Sequence, residues 1–274
     1  MPRGVPKSGF RMTAKRIAAN SVASVSKSVE SRFSINERFG FVTDLVKMVA
    51  KNDTPSVIIC GAGGLGKSHT VNTALRDSGF RDMTLVDNYQ IGMAASGSNY
   101  VVIKGYSTPK GLYRTLYENN GGVIVFDDCD SVLKDAVSLN LLKAALDSYS
   151  KRIISWRADI RDDDLPTSFL FTGRIVFISN MDSSTLDQAI LSRSMVVDLS
   201  MTPAQKVERM RHLIKQADFM PDFSSKIKSD SMDLIDTLKD SIKELSLRSL
   251  IKTAKIRATG NKNWKDLAEY SLVG

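Results

Sequence analysis

Cysteine and histidine are nearly missing from this chain. Cys60 and Cys129 stand apart, in no Cys-x-x-Cys pair and with no histidine at metal spacing, which argues against a zinc site and leaves both as reduced core thiols. His69 and His212 are too few and too separated for a metal cluster or a catalytic triad. Long apolar runs are missing as well. No stretch approaches the roughly 18 residues of a membrane span, and the N-terminus lacks the short apolar core of a secretory signal, so a soluble, cytoplasmic protein is expected. With 42% hydrophobic and 25% charged residues, the composition lies in the ordinary globular range, enough for one large or two modest domains.

Acidic residues are scarce at the start. Residues 1–30 contain Arg3, Lys7, Arg11, Lys15, Arg16 and Lys27 against Glu30 alone, and supply most of the net charge of +8. A basic arm over 1–34 suits a solvated, disordered tail, contact with nucleic acid or an acidic partner, or an organellar transit peptide.

Beyond the arm, hydrophobic periodicity sets out alternating elements. Apolar residues at helical spacing (Phe39, Val42, Leu45, Val46, Val49) predict a helix over 35–51. The β-branched run Ser56–Cys60, bounded by Pro55 and Gly61, predicts a buried parallel strand. A helix over 67–77 follows. Further strands are expected at 100–104, 123–126, 174–179 and 195–199, with helices at 109–118, 137–150 and 185–191 between them. Such alternation implies an α/β fold with a parallel sheet covered on both faces. From Thr202 onward only helices are expected, at 203–217, 231–244, 247–258 and 263–271, so the α/β core is placed at 35–200 and a small helical lid at 201–274. Residues 150–172 exceed a simple connection, which marks a functional loop, with a β-hairpin as its expected form.

Two motifs carry chemistry. Gly61-Ala-Gly-Gly-Leu-Gly66-Lys67-Ser68 matches G-x-x-x-x-G-K-[ST] between a buried strand and a helix, the context the phosphate-binding loop requires. Gly61, Gly63, Gly64, Leu65 and Gly66 would wrap backbone N–H groups around a β-phosphate at a helix N-terminus. Lys67 would reach the β- and γ-phosphates, Ser68 would ligate Mg²⁺, and His69 completes the binding segment. Gly121-Gly-Val-Ile-Val-Phe126-Asp127-Asp128 is an apolar strand ending in two acids, a Walker B pattern. A strand paired beside the P-loop strand would deliver Asp127 to the metal, with Asp128 as the water-activating base. An Asp there is one methylene shorter than the commoner Glu, which predicts slow hydrolysis.

With both motifs in order, the chain resembles an AAA+ P-loop ATPase over roughly residues 35–260. The segment Arg174-Ile-Val-Phe-Ile-Ser-Asn180 resembles the family's sensor 1 strand, with Asn180 positioning the attacking water. Leu186-Asp-Gln-Ala-Ile-Leu-Ser-Arg193-Ser resembles the arginine-finger segment, its Ser-Arg-Ser similar to the Ser-Arg-Cys of clamp loaders. Leu245-Ser-Leu-Arg248-Ser-Leu-Ile resembles the sensor 2 helix, and Ile35-Asn-Glu-Arg38-Phe the segment that packs on adenine. Surface arginines remain the plain alternative for Arg193 and Arg248. The resemblance implies ATP and Mg²⁺ as cofactors, hydrolysis to ADP and phosphate, and a homo-oligomeric ring, a hexamer among the options, because Arg193 would act in trans. A single compact module of this kind is expected of a bacterial or phage-encoded ATPase.

The work such a ring performs is expected in its loops. Lys104-Gly-Tyr106-Ser-Thr-Pro-Lys110 offers Tyr106 as a grip, and Lys151, Arg152, Trp156, Arg157 and Arg161 offer a single-strand stacking and phosphate-tracking surface, unless Trp156 folds inward and Asp159 and Asp162–Asp164 cancel the charge. The leading expectation is a nucleic-acid-associated motor or loader. Protein remodelling, or a slowly hydrolysing switch, is the alternative.

Overall fold

The computed structural model describes residues 31–84, 98–149, 151–157 and 164–274. The basic arm up to Glu30, Ser150, Asp159, Arg161, Asp162 and Asp163 lie outside the described residues.

Helix α1 (Ile35–Lys51) starts at a capping box in which Ser34 accepts from the Glu37 N–H and the Glu37 side chain returns to the Ser34 N–H. Those two bonds satisfy N–H groups that a helix start leaves open. Strand β1 (Ser56–Cys60) follows, then α2 (Lys67–Asp77), β2 (Arg81–Asp82), β3 (Asn99–Lys104), α3 (Pro109–Glu118), β4 (Val123–Asp127), α4 (Ala136–Ala145), β5 (Arg152–Ser155), β6 (Ser168–Phe171), β7 (Arg174–Ile178), α5 (Gln188–Leu191) and β8 (Met195–Asp198).

Six strands form one sheet in the order β2-β3-β4-β7-β1-β8, every pairing parallel. Alternation along each strand divides the core in two. Ile58, Ile124, Phe126, Ile175 and Phe177 face α3 and α4, whereas Val57, Ile59, Val123, Val125, Val176 and Ile178 face α1 and α2. The fold is therefore the expected helix-flanked parallel sheet. The strand carrying Asp127 is not beside the P-loop strand, however: β7 lies between β4 and β1. Both acids and Asn180 thus reach the site from neighbouring strand ends.

The segment expected as a hairpin contains the antiparallel pair β5 and β6. Arg152 pins it, donating to the Ala145 and Gly173 carbonyls and lying over the Phe171 ring.

After β8 the described chain is helical: α6 (Pro203–Leu213), α7 (Ser225–Leu238), α8 (Leu247–Ala258) and α9 (Trp264–Val273). Helix α7 starts six residues before the periodicity suggests, because Ser224 caps it and the polar Lys228 and Ser231 occupy its buried face. Lys228 is held there by its bond to the Phe219 carbonyl at 2.6 Å. The predicted helix over 185–191 is a 3-10 turn and a single α-turn, broken where Asp187 caps the second.

The four helices share a third apolar cluster, with Met210, Met232, Ile235, Leu250 and Ala254 at its centre, and Leu65 from the glycine-rich loop is fully buried in it. Leu65→Ala is expected to lower stability by about 2–4 kcal/mol, the usual cost of emptying a packed leucine site. Urea denaturation of the variant and the parent measures it.

Candidate functional site

Parallel α/β sheets place their sites outside the carboxyl ends of the strands, and here the ends of β1, β4 and β7 converge with the first turn of α2. The loop joining β1 to α2 turns through left-handed glycines, Gly61 at φ +124°, Gly64 at +74° and Gly66 at +96°. Two of these positions also lack room for a side chain. A Cβ on Gly61 would lie 2.7 Å from the Leu199 carbonyl carbon, and one on Gly64 would lie 2.9 Å from Cβ of Ser246. The Leu247 N–H at the start of α8 donates to the Gly64 carbonyl at 2.8 Å.

A cavity of about 200 Å³ opens against this loop, lined by Gly63, Gly64, Gly66, Lys67, Ser68, His69, Asp127, Asp128, Ile178, Asn180 and Arg248. Two hydrogen-bonded chains run around it. In the first, the Lys67 ammonium donates to the Gly61 carbonyl, to the Ala62 carbonyl at 3.1 Å and to Asn180 Oδ1 at 2.8 Å, and Asn180 Nδ2 donates to Asp128 Oδ1 at 2.7 Å. In the second, Ser68 Oγ donates to Asp127 Oδ1 at 2.8 Å while the Lys104 ammonium stands 3.1 Å from Oδ2.

Burial sharpens both chains. Lys67 is 5% exposed and Asp127 3%, and desolvation holds the Lys67 ammonium below its ordinary pKa of 10.5 against the opposing pull of Asp128 and Asp127. Asp128 takes the left-handed conformation at φ +55°, at a cost of about 1 kcal/mol for a residue with a Cβ. Its N–H is tied to the Ile178 carbonyl at 3.0 Å.

Most of the residues expected at the site are brought together. Gly61 stands just behind the cavity wall. Leu65 is the exception within the loop, for its side chain turns into the helical cluster and it does not line the cavity. Arg248 lies at the rim, its side chain 73% exposed and 3.7 Å from Glu244. Arg193 is elsewhere. Its guanidinium donates to the Ala189 carbonyl, and its own carbonyl accepts from Ser56 Oγ at the start of β1, the end remote from the glycine loop.

The segment expected to pack on adenine runs along a groove beside this cavity. Ile35 and Phe39 are buried in the core, and Arg38 bonds the Asp198 and Ser200 carbonyls. Asn36 and the edge of Phe39 line that groove of about 570 Å³ between α1, α2 and α6, which meets the smaller cavity at His69. Arg209 forms part of its wall, 3.8 Å above the Phe39 ring and bonded to Asn36. Burial lowers its pKa to about 10.

Lys104 was not among the expected site residues. The signal available was its place at the end of a strand of the parallel sheet. Of the two readings open for the 150–172 segment, the inward one describes Trp156, which is half-buried and packs on Tyr113 at 5.9 Å, while Arg152 donates to backbone carbonyls. Cys60 and Cys129 are buried free thiols, Cys60 pushed up to about 12 by desolvation, which leaves it inert.

No family model matches the chain. An uncharacterized 36.7 kDa protein in the nrdC-mobD intergenic region of Enterobacteria phage T4 is 28% identical over 266 residues, spanning 90% of this chain and 77% of the phage protein. Among solved structures, C. elegans PCH-2 is 13% identical with a TM-score of 0.45, over 85% of this chain and 66% of that one. NtrX from Brucella abortus in complex with ATP is 14% identical with a TM-score of 0.48, over 84% and 53%. The FIGL-1 AAA domain in complex with ADP is 14% identical with a TM-score of 0.42, over 81% and 69%. Likeness of this order bears on neither activity nor partners. Among the described residues no helix is long and apolar enough to cross a membrane.

The buried ammonium has a pH signature. Because the folded state holds Lys67 below 10.5, the unfolded chain binds more protons between the two values, so this group adds stability as pH rises through that window. Comparing urea midpoints at about pH 8 and about pH 10, the parent is expected to gain relative to Lys67→Met as pH rises.

Proposed function

We propose that this chain is an ATP-binding ATPase of the AAA+ type that hydrolyses ATP to ADP and phosphate in a homo-oligomeric ring. The observation that carries this reading is the meeting of two hydrogen-bonded chains, Lys67–Asn180–Asp128 and Ser68–Asp127–Lys104, around one cavity floored by left-handed glycines. In this reading residues 35–200 are the nucleotide-binding core, 201–274 the lid and 1–34 a basic arm.

Each residue has a role set by its chemistry. Backbone N–H groups from Gly63 to Ser68 sit at the positive end of α2 and suit a polyphosphate. Lys67 exchanges its carbonyl partners for phosphate oxygens. Ser68 Oγ and the Asp127 carboxylate are hard oxygen donors 2.8 Å apart, a set that fits Mg²⁺, which is commonly held by one or two carboxylates together with phosphates and water. Among the described residues no cluster of three His, Cys, Asp or Glu side chains offers an all-protein metal cage. When bound, Mg²⁺ neutralises charge on the β- and γ-phosphates. Asp128 accepts the proton of the attacking water, and Asn180, already bonded to it, orders that water. The groove along α1, α2 and α6 takes the base, and Arg248 lies at the rim on the lid side.

Arg193 is supplied to a neighbouring subunit, because it is remote from the site of its own chain. Association with nucleic acid is the reading for the work performed. Residues 245–265 contain Arg248, Lys252, Lys255, Arg257, Lys262 and Lys265 and no acid, and the four lysines are exposed, as phosphate contacts require. Remodelling of a protein is the second reading, favoured by Tyr106, 80% exposed after β3, and by the register neighbours Ile153 and Leu170 on the outer face of the hairpin, 57% and 48% exposed.

Lys67→Ala is expected to abolish magnesium-dependent affinity for a fluorescent ATP analogue; unchanged affinity rejects the reading. Arg193→Ala is expected to retain that affinity and to lose hydrolysis by about 10³-fold, read as phosphate release. Asp128→Glu is expected to speed turnover by restoring the missing methylene. Single-stranded DNA is expected to stimulate the ATPase in a salt-dependent way, and stimulation by a protein alone selects the second reading.

A further inference from the structure

Lys104 is the last residue of β3 and the register partner of Asp127 on β4. Parallel strands place paired residues on the same face, so the ammonium and the carboxylate meet at 3.1 Å. The two oxygens of Asp127 are then divided, Oδ1 accepting from Ser68 and Oδ2 facing Lys104. The Asp127 side chain is only 5% exposed whereas that of Lys104 is 68% exposed. A carboxylate so deeply buried needs a counter-charge; Lys67 has its ammonium turned to Gly61, Ala62 and Asn180, and Arg248 stands at the rim beside Glu244.

We propose that Lys104 holds the place of the divalent cation at Asp127, so that metal is admitted to this site only together with a polyphosphate. The inference rests on the nucleotide-binding reading of the site. Ser68 and Asp127, the two side chains that would hold the metal, are the same two that are engaged in the chain ending at Lys104. A free divalent ion arriving alone meets an already neutralised carboxylate and one hydroxyl, and Mg²⁺ gives up water reluctantly. Nucleotide-borne metal brings phosphate charge with it, and the solvent-exposed lysine yields because an exposed ammonium is readily rehydrated. Gly105, at φ +87°, ends the strand directly behind Lys104 and allows the chain to turn away. Lys104 is thus a positioning residue that acts through Asp127 and sets the order in which ligands enter.

The full chain is titrated with Mn²⁺ alone, without nucleotide, and bound metal is read by electron paramagnetic resonance. Lys104→Met is expected to bind Mn²⁺ about tenfold more tightly than the parent, about 1.4 kcal/mol, and Lys104→Arg to match the parent. The Mg²⁺ concentration giving half-maximal affinity for a fluorescent ATP analogue is expected to fall by a similar factor in Lys104→Met. Lys104→Gln, which keeps a hydrogen-bond donor, replaces Lys104→Met if the latter is misfolded by circular dichroism. Mn²⁺ affinity within twofold of the parent in the folded variant, with nucleotide binding intact, overturns the placeholder role and leaves the nucleotide reading standing. Failure of the parent to bind nucleotide with Mg²⁺ overturns both.

Discussion

The candidate site is organised by one costly placement, an ammonium with almost no access to water at the mouth of a parallel sheet. Lys67 is tolerated there because its hydrogens are directed at two loop carbonyls and the Asn180 oxygen, and because Asp127 and Asp128 lie nearby at the end of β4. Those carbonyls face the ammonium only when the loop turns through left-handed conformations, which glycine adopts at little steric cost. The close approach of Gly61 to Leu199 then fixes β8 against the loop. The left-handed turns of the loop and of Asp128 frame the place where this one charge sits beside two carboxylates.

The loop is also fastened from the other side. Leu65 is fully buried among the C-terminal helices, and the first N–H of α8 donates to Gly64. Backbone amides facing the cavity and a side chain facing the helices belong to the same few residues. Displacement of the helical cluster therefore has a direct mechanical route to the loop, and occupancy of the cavity has the same route back. Arg209, stacked on Phe39 and bonded to Asn36, adds a second tie between α6 and α1, next to the groove assigned to the base.

Much of the scaffold was legible because local physics decided it. The β-branched run of β1 and the limits of α1, with its capping box, follow from short-range preferences, as do the glycine loop and the apolar strand ending in two acids. Register was not legible. The insertion of β7 between β1 and β4, which seats Asn180 between Lys67 and Asp128, and the pairing of Lys104 with Asp127, are set by contacts between segments far apart in sequence. Cations that serve the fold were not distinguishable from surface cations by sequence: Arg152, Arg38 and Lys228 bond backbone carbonyls. Trp156 turns inward, the alternative the sequence left open, because Tyr113 and the hairpin core offer it apolar contact.

Charge explains why the assembly reading follows from the site. Within the cavity Asp127 faces Lys104 and Asp128 is joined to Lys67 through Asn180, so the side chains approach neutrality before any ligand arrives. A polyphosphate adds several negative charges, and in phosphoryl transfer charge is spread over the γ-oxygens and must be stabilised there. Lys67 and the metal offset part of it. Arg248 lies at the rim and Arg193 is fixed near the start of β1, at the other end of the sheet. Arginine is suited to the remaining charge because its planar donors are pre-arranged and always protonated. Under the proposed reading the described residues bring Lys67 to the phosphates and Arg248 to the rim, and Arg193, held at the other end of the sheet, is the arginine offered to a neighbouring copy.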